Sequence, residues 1–190
     1  MAINPNFNPF PNLETERLLM RRIDFDDTPE IFRLRSDKGL MRYIDRPLTE
    51  TDADARALIQ KIETALETNE GITWGICPKE TGKVMGSIGF WRLDKENYRA
   101  EIGYMLHHDL QGKGLMQESL DAVLKYGFSE MNLHSVEANV NPENNASLKL
   151  LERNGFIKEA YFRENYYYNG RFLDSLIYSL LVQDFKPQKG

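Results

Sequence analysis

Apolar residues recur along the chain with two different periods, and the changes between them mark out helices and strands. RLLMRR (17–22) reads as a first strand. Thr28-Pro29-Glu30 then offers an N-cap, a proline at the first helical position and an acid in the first turn, which predicts a helix from about Pro29 to Asp37, ending near Gly39. Thr51 with Asp54 resembles a capping arrangement, and Leu58, Ile59, Ile62 and Leu66 fall on one face of a second helix. In the middle the period drops to two. ITWGIC (72–77) and VMGSIGFW (84–91), separated by Pro78 and Glu80-Thr81-Gly82-Lys83, read as an antiparallel hairpin, with RAEIGYML (99–106) as the third strand of a meander.

After Gln111-Gly112-Lys113-Gly114 the helical period returns through Leu120, Val123, Leu124, Phe128 and Met131. SVEANV (135–140) is the next strand, so segment 99–140 has the strand–helix–strand order of a parallel pair joined by a crossover. A helix of about Asn145–Asn154 follows, closed by Gly155, and EAYFRENYYY and RFLDSLIYSLL flank the hairpin turn Asn169-Gly170. These elements predict an α+β fold with a mixed, mainly antiparallel sheet. Residues 1–12 alternate Asn and Pro with Phe7 and Phe10, which suits neither helix nor strand and predicts a flexible or docked arm. Residues 13–185 are expected to form a single domain.

Composition narrows the class. The chain has 190 residues, 24 Lys plus Arg against 29 Asp plus Glu, and a formal charge of −5. That size suits one well-cored domain. Acidic balance without basic tracts argues against a nucleic-acid binder, and no apolar run approaches the ~18 residues of a membrane span. The single Cys77 cannot form an internal disulfide, no Cys/His spacing suggests zinc, and the first residues lack a leader pattern. A cytoplasmic protein with no metal is therefore expected.

The glycine turn carries the sharpest chemical signal. Glycines let successive N–H groups face one concavity, and a helix start adds roughly half a positive charge, so Gln111, Gly112, Lys113, Gly114, Leu115, Met116 and Gln117 could hold a phosphate. A tight strand-to-helix turn with a solvated Lys113 is the plainer alternative. The run lacks the last glycine of a dinucleotide fingerprint and the GK[ST] of a P-loop. Gln111-x-x-Gly114-x-Met116 resembles the pyrophosphate loop of the GNAT superfamily of acetyl-CoA-dependent N-acetyltransferases, with Met in place of the family's final Gly or Ala. Ala100-Glu101-Ile102-Gly103-Tyr104 and Gln-Gly-Lys-Gly-Leu-Met look like the Rim-type branch, which contains ribosomal-protein N-terminal acetyltransferases.

The resemblance implies a GNAT-type sheet of about seven strands with four helices and a splay between the fourth and fifth strands. It also implies that acetyl-CoA is the co-substrate, its pantetheine paired to backbone at Met105, Leu106 and His107 and contacted by Asn144. Ser147 matches a serine that lies beside the sulfur in Rim-like relatives, and Leu151 stands where many family members carry a tyrosine acid.

Acyl transfer to an amine needs a base, because a lysine-like amine titrates near ~10.4 and an α-amine near ~8. Strand alternation puts Glu101, Gly103 and Met105 on one face, making Glu101 the candidate base, directly or through a water. Its alternative is a solvated strand carboxylate or an ion pair with Arg92 or Arg99. Ser147 is the candidate donor to the departing thiolate, and Asn-x-x-Ser at a helix start is also ordinary capping chemistry. His107 and His108 are rival bases or a solvated strand end. The aromatic residues Trp74, Phe90, Trp91, Tyr161, Phe162 and Tyr166–Tyr168 are expected mostly in packing. The expected activity is acetyl transfer to a primary amine, such as the N-terminal amine of a ribosomal protein. The alternatives are a small-molecule amine (amino sugar, polyamine or amino acid) and a non-catalytic acyl-CoA-binding module. No nucleic-acid or membrane partner is expected, and the chain would act as a monomer or homodimer.

Overall fold

A computed structural model describes residues 2–187. Its eight strands are β1 (Leu13–Glu14), β2 (Leu18–Arg22), β3 (Ile72–Pro78), β4 (Gly86–Asp94), β5 (Arg99–Leu106), β6 (Ser135–Val140), β7 (Ile157–Tyr168) and β8 (Arg171–Leu181). Its four α-helices are α1 (Thr28–Ser36), α2 (Asp52–Glu67), α3 (Leu115–Ser129) and α4 (Asn145–Arg153). All strands join one sheet in the order β1-β2-β3-β4-β5-β6-β8-β7. The expectation of about seven strands falls one short, because two-residue β1 folds back on β2 and is too brief to show a period.

Only β5 and β6 run parallel, and they pair at just Arg99↔Ser135, Ala100↔Val136 and Glu101↔Glu137. Beyond Glu101 the strands part: β5 continues against β4 up to Leu106, while β6 stays with β8 through Val140. This is the splay that the family resemblance implies; the extra β1 makes its walls the fifth and sixth strands.

The sheet separates two apolar layers. Ile23, Leu34, Ile59, Cys77, Val84 and Met105 form one with α1 and α2. Trp74, Phe90, Leu120, Leu124 and Leu151 belong to the other, with α3 and α4. Truncating a fully buried side chain such as Leu124 would cost about 2–5 kcal/mol. The Asn/Pro-rich arm lies on this second layer: Ile3 and Phe7 are buried, and the Trp74 indole donates to the Pro11 carbonyl at 2.7 Å.

Local signals act as expected at α2, where Thr51 and Asp54 form a reciprocal capping box, and at α4, where Gly155 adopts φ +83° just past the helix. At α1 they do not. Thr28 lies inside the helix and its hydroxyl donates to the Phe25 carbonyl at 2.6 Å. Asp27 at the cap position makes no side-chain cap bond either, since its carboxylate is engaged by both Arg21 Nη atoms at 2.8 Å.

Candidate active site

β5 delivers the candidate base. Glu101 is 9% exposed, and its Oε2 accepts from Arg92 Nη1 at 2.8 Å. A register shift in β4 between Trp91 and Asp94, with Arg92 at φ +46°, accompanies that contact. Glu101 therefore has the Arg92 ion pair weighed from the sequence, although the arginine side chain is 70% exposed and solvent screens it. Trp91 pairs across from Glu101, and a Cβ at Gly103 would sit 3.1 Å from the Trp91 ring. A glycine at 103 thus leaves room for the half-exposed indole on the Glu101 face.

Alternation sends Tyr104 to the opposite face, toward α4. Its hydroxyl lies 2.7 Å from Ser147 Oγ; Ser147 is buried and Tyr104 partly buried against the α3/α4 layer. Burial pushes the Tyr104 phenol up to about 12, with the Ser147 hydrogen bond pulling slightly the other way, so the phenol keeps its proton at neutral pH. The cap of α4 is Asn144, whose Oδ1 accepts from the Ser147 amide at 3.2 Å. The Ser147 hydroxyl is thereby left to Tyr104, and the capping alternative considered for Ser147 belongs to Asn144. Tyr104 is absent from the sequence-derived candidates. Its strand phase separates it from Glu101, and only the placement of α4 brings Ser147 within reach.

The glycine turn lies between the end of β5 and the start of α3. Gly112 and Gly114 adopt φ +72° and +78°, a region L side chains rarely enter, and nothing lies within 4 Å of a Cβ built at Gly112. The first-turn amides of Leu115, Met116 and Gln117 have no intrahelical acceptor. Arg17 Nη1 donates to the Lys113 carbonyl at 3.0 Å, which occupies that acceptor. Glu118 would oppose an anion here, but it is held by the Arg17 guanidinium and amide and by the Thr15 hydroxyl. Burial works to raise its pKa; these hydrogen bonds outweigh it and keep Glu118 below the usual carboxylate range. Gln117 and Asn154 exchange side-chain hydrogen bonds, tying α3 to α4. An open cradle of donors with a neutralised first-turn acid fits a pyrophosphate.

The three residues expected to face pantetheine differ in what they leave free. Met105 is buried on the α1 side, with its sulfur 4.0 Å from Arg35 Nη1. The Leu106 carbonyl accepts from Gln111 Nε2, and the His107 amide donates to the Met85 carbonyl, both at 2.8 Å. The two histidines turn to different carboxylates, His107 to Asp109 at 3.3 Å and His108 to Asp37 at 3.4 Å. Neither hydrogen-bonds Glu101 or Ser147. Among the described residues no group of three His, Cys, Asp or Glu side chains is arranged to hold a metal ion, and no helix is long and apolar enough to cross a membrane.

The model of the acetyltransferase (GNAT) domain matches residues 17–157. The uncharacterized N-acetyltransferase p20 of Bacillus licheniformis is 37% identical over 91% of this chain and 97% of its own. The ribosomal protein uS5-alanine N-acetyltransferase of Escherichia coli is 26% identical over 94% and 95% of the two chains. The fold is shared with RimL, a ribosomal L7/L12 alpha-N-protein acetyltransferase in complex with coenzyme A, at a TM-score of 0.84 and 22% identity over 92% and 99% of the chains. A splayed parallel pair, a glycine turn opening a helix and a family match across most of the chain lead to one assignment: this protein belongs to the GNAT family of N-acetyltransferases.

Proposed function

We propose that residues 13–185 act as one unit that transfers an acetyl group from acetyl-CoA to the N-terminal amine of a protein, a ribosomal protein being the class that the uS5-acetylating relative suggests. The observation that carries this reading is the gap past Glu101 and Glu137, with a carboxylate on one face of β5, a hydroxyl pair on the other and a cradle of amides at its end. Acetyl-CoA supplies the thioester. Gln111–Gln117 donate amides to its pyrophosphate, and the edge of β5 from Met105 to His107, with Asn144, lines the pantetheine path.

Glu101 takes a proton from the ammonium form of the acceptor, directly or through a water, leaving a lone pair on nitrogen to attack the thioester carbon. The C–N bond forms, and as the tetrahedral centre collapses and the C–S bond breaks, the extra proton on nitrogen passes to the departing thiolate, giving the amide and the free CoA thiol, while Glu101 returns the proton it took to water. Ser147 Oγ–H donates to the sulfur as negative charge develops there, while the protonated Tyr104 donates to Ser147 Oγ and fixes its rotamer. A phenol held near 12 is a poor acid, so Tyr104 orients rather than protonates.

A screen of free-N-terminus peptides and of small amines with acetyl-CoA, reading thiol release and acceptor mass, tests the reading. Peptides modified at the α-amine are the expected result. Modification of small amines alone would replace the protein acceptor by a small-molecule one, and absence of turnover with intact CoA binding would leave an acyl-CoA-binding module.

A further inference from the structure

A second charged group on the Glu101 side of the sheet has no use in the chemistry above. Arg35 lies in the last turn of α1, with its Nε buried and without a hydrogen-bond partner. Among the described residues its one side-chain contact of hydrogen-bond type is Nη1 to the Met105 sulfur, at 4.0 Å a weak one. Arg35 forms no ion pair among the described residues. Three acids on neighbouring segments and on the same sheet face are committed elsewhere: Asp37 accepts from the Gly39 and Leu40 amides, Asp45 from the Tyr166 hydroxyl, and Glu101 from Arg92. Burial, and then the charge of Arg46, both act against the Arg35 cation. A guanidinium cannot escape by losing its proton, and a withdrawn charge without a counter-ion is unfavourable.

We infer that Arg35 is a specificity-determining residue that receives a carboxylate of the acceptor, so that the preferred acceptor is an acidic peptide. This rests on the proposal that Glu101 marks where the amine reacts. Met105 and Glu101 share a face of β5 four residues apart, about 13 Å at ~3.3 Å per residue. A free amino acid cannot span that distance. An extended peptide with its amine at Glu101 reaches Arg35 with an Asp or Glu side chain two to four residues in. A guanidinium suits such a partner because its planar fork can bind both carboxylate oxygens. A polyamine would meet the same positive charge as repulsion.

The test uses the full chain, saturating acetyl-CoA and Ala-initiated heptapeptides carrying Glu or Gln at position two, three or four. Wild type is expected to favour Glu over Gln by about tenfold or more in kcat/KM at one of these positions. Calorimetry of the same peptides on CoA-saturated protein should show the same order in affinity. Arg35→Met should bring the ratio near one, and Arg35→Lys should leave part of it. A merely structural Arg35 would change the melting temperature and leave the Glu/Gln ratio as it was. Equal use of Glu and Gln peptides by wild type, or an unchanged ratio in folded Arg35→Met, overturns the inference while acetylation of both peptides upholds the acetyltransferase reading. If no peptide binds or reacts although acetyl-CoA raises the melting temperature, both the peptide acceptor and the role of Arg35 fall, and only the co-substrate site stands.

Discussion

Tyr104 and Ser147, 43 residues apart in the chain, share a 2.7 Å hydrogen bond across the gap between the diverging strands. If Ser147 assists thiolate departure, Ser147→Ala should slow single-turnover thiol release by roughly 10²–10³-fold, the range for one preorganised donor. Tyr104→Phe should slow it less, by about 3–10-fold, since the serine remains and loses only its orienting partner, a bond worth about 1 kcal/mol. The double variant should resemble Ser147→Ala because the two act as a unit. Strictly additive losses would show that the residues work independently, and normal release from folded Ser147→Ala would remove the serine from the chemistry.

Glu101→Gln keeps the side-chain shape and removes the base. Turnover should fall by about 10²–10⁴-fold while the melting shift on adding CoA is retained. The lost ion pair should matter little to folding, because Arg92 is mostly exposed. Wild-type turnover in this variant would reduce Glu101 to a partner of Arg92.

Gly114 caps α3 at φ +78°, with Arg17 Nη2 3.6 Å from where a Cβ would stand. Gly114→Ala should cost about 1 kcal/mol of stability through backbone strain. Gly114→Glu adds a negative charge in the amide cradle, partly offset by Arg17, and calorimetry should show CoA affinity reduced by at least about tenfold beyond the Ala variant. Equal affinities would move the pyrophosphate away from this turn.

Tyr104 also predicts an alkaline signature. Its folded value, raised by burial to about 12, lies above the ordinary phenol value of about 10, so its contribution is intact below pH 10 and is lost as pH rises toward 12, when the unfolded chain ionises first. By pH 11 the loss should reach about 1 kcal/mol. Urea midpoints at pH 8 and pH 11 should therefore fall further in wild type than in Tyr104→Phe, and parallel falls would contradict the assigned burial.

What was legible in the sequence is what depends on near neighbours. The capping box of Thr51 and Asp54 sets the start of α2, Asn169-Gly170 sets the β7–β8 turn, and Gly112 and Gly114 adopt the left-handed conformations that a donor cradle requires. Alternation likewise placed Glu101 on one face of β5, since phase along a strand needs no tertiary information. Other features depend on which distant segments meet. β1 exists because two residues find β2, and Asp27 leaves the cap of α1 because Arg21 on β2 reaches it. The Tyr104–Ser147 bond exists because β5 and β6 separate after three paired residues and α4 places its first turn at the gap. Arg35 is similar: as a sequence position it is one more helix-end arginine, and its buried Nε is set by packing against the β5 face. Local chemistry chooses φ, caps and faces within a few residues, whereas the partner of a side chain is decided by how the sheet and helices close on one another.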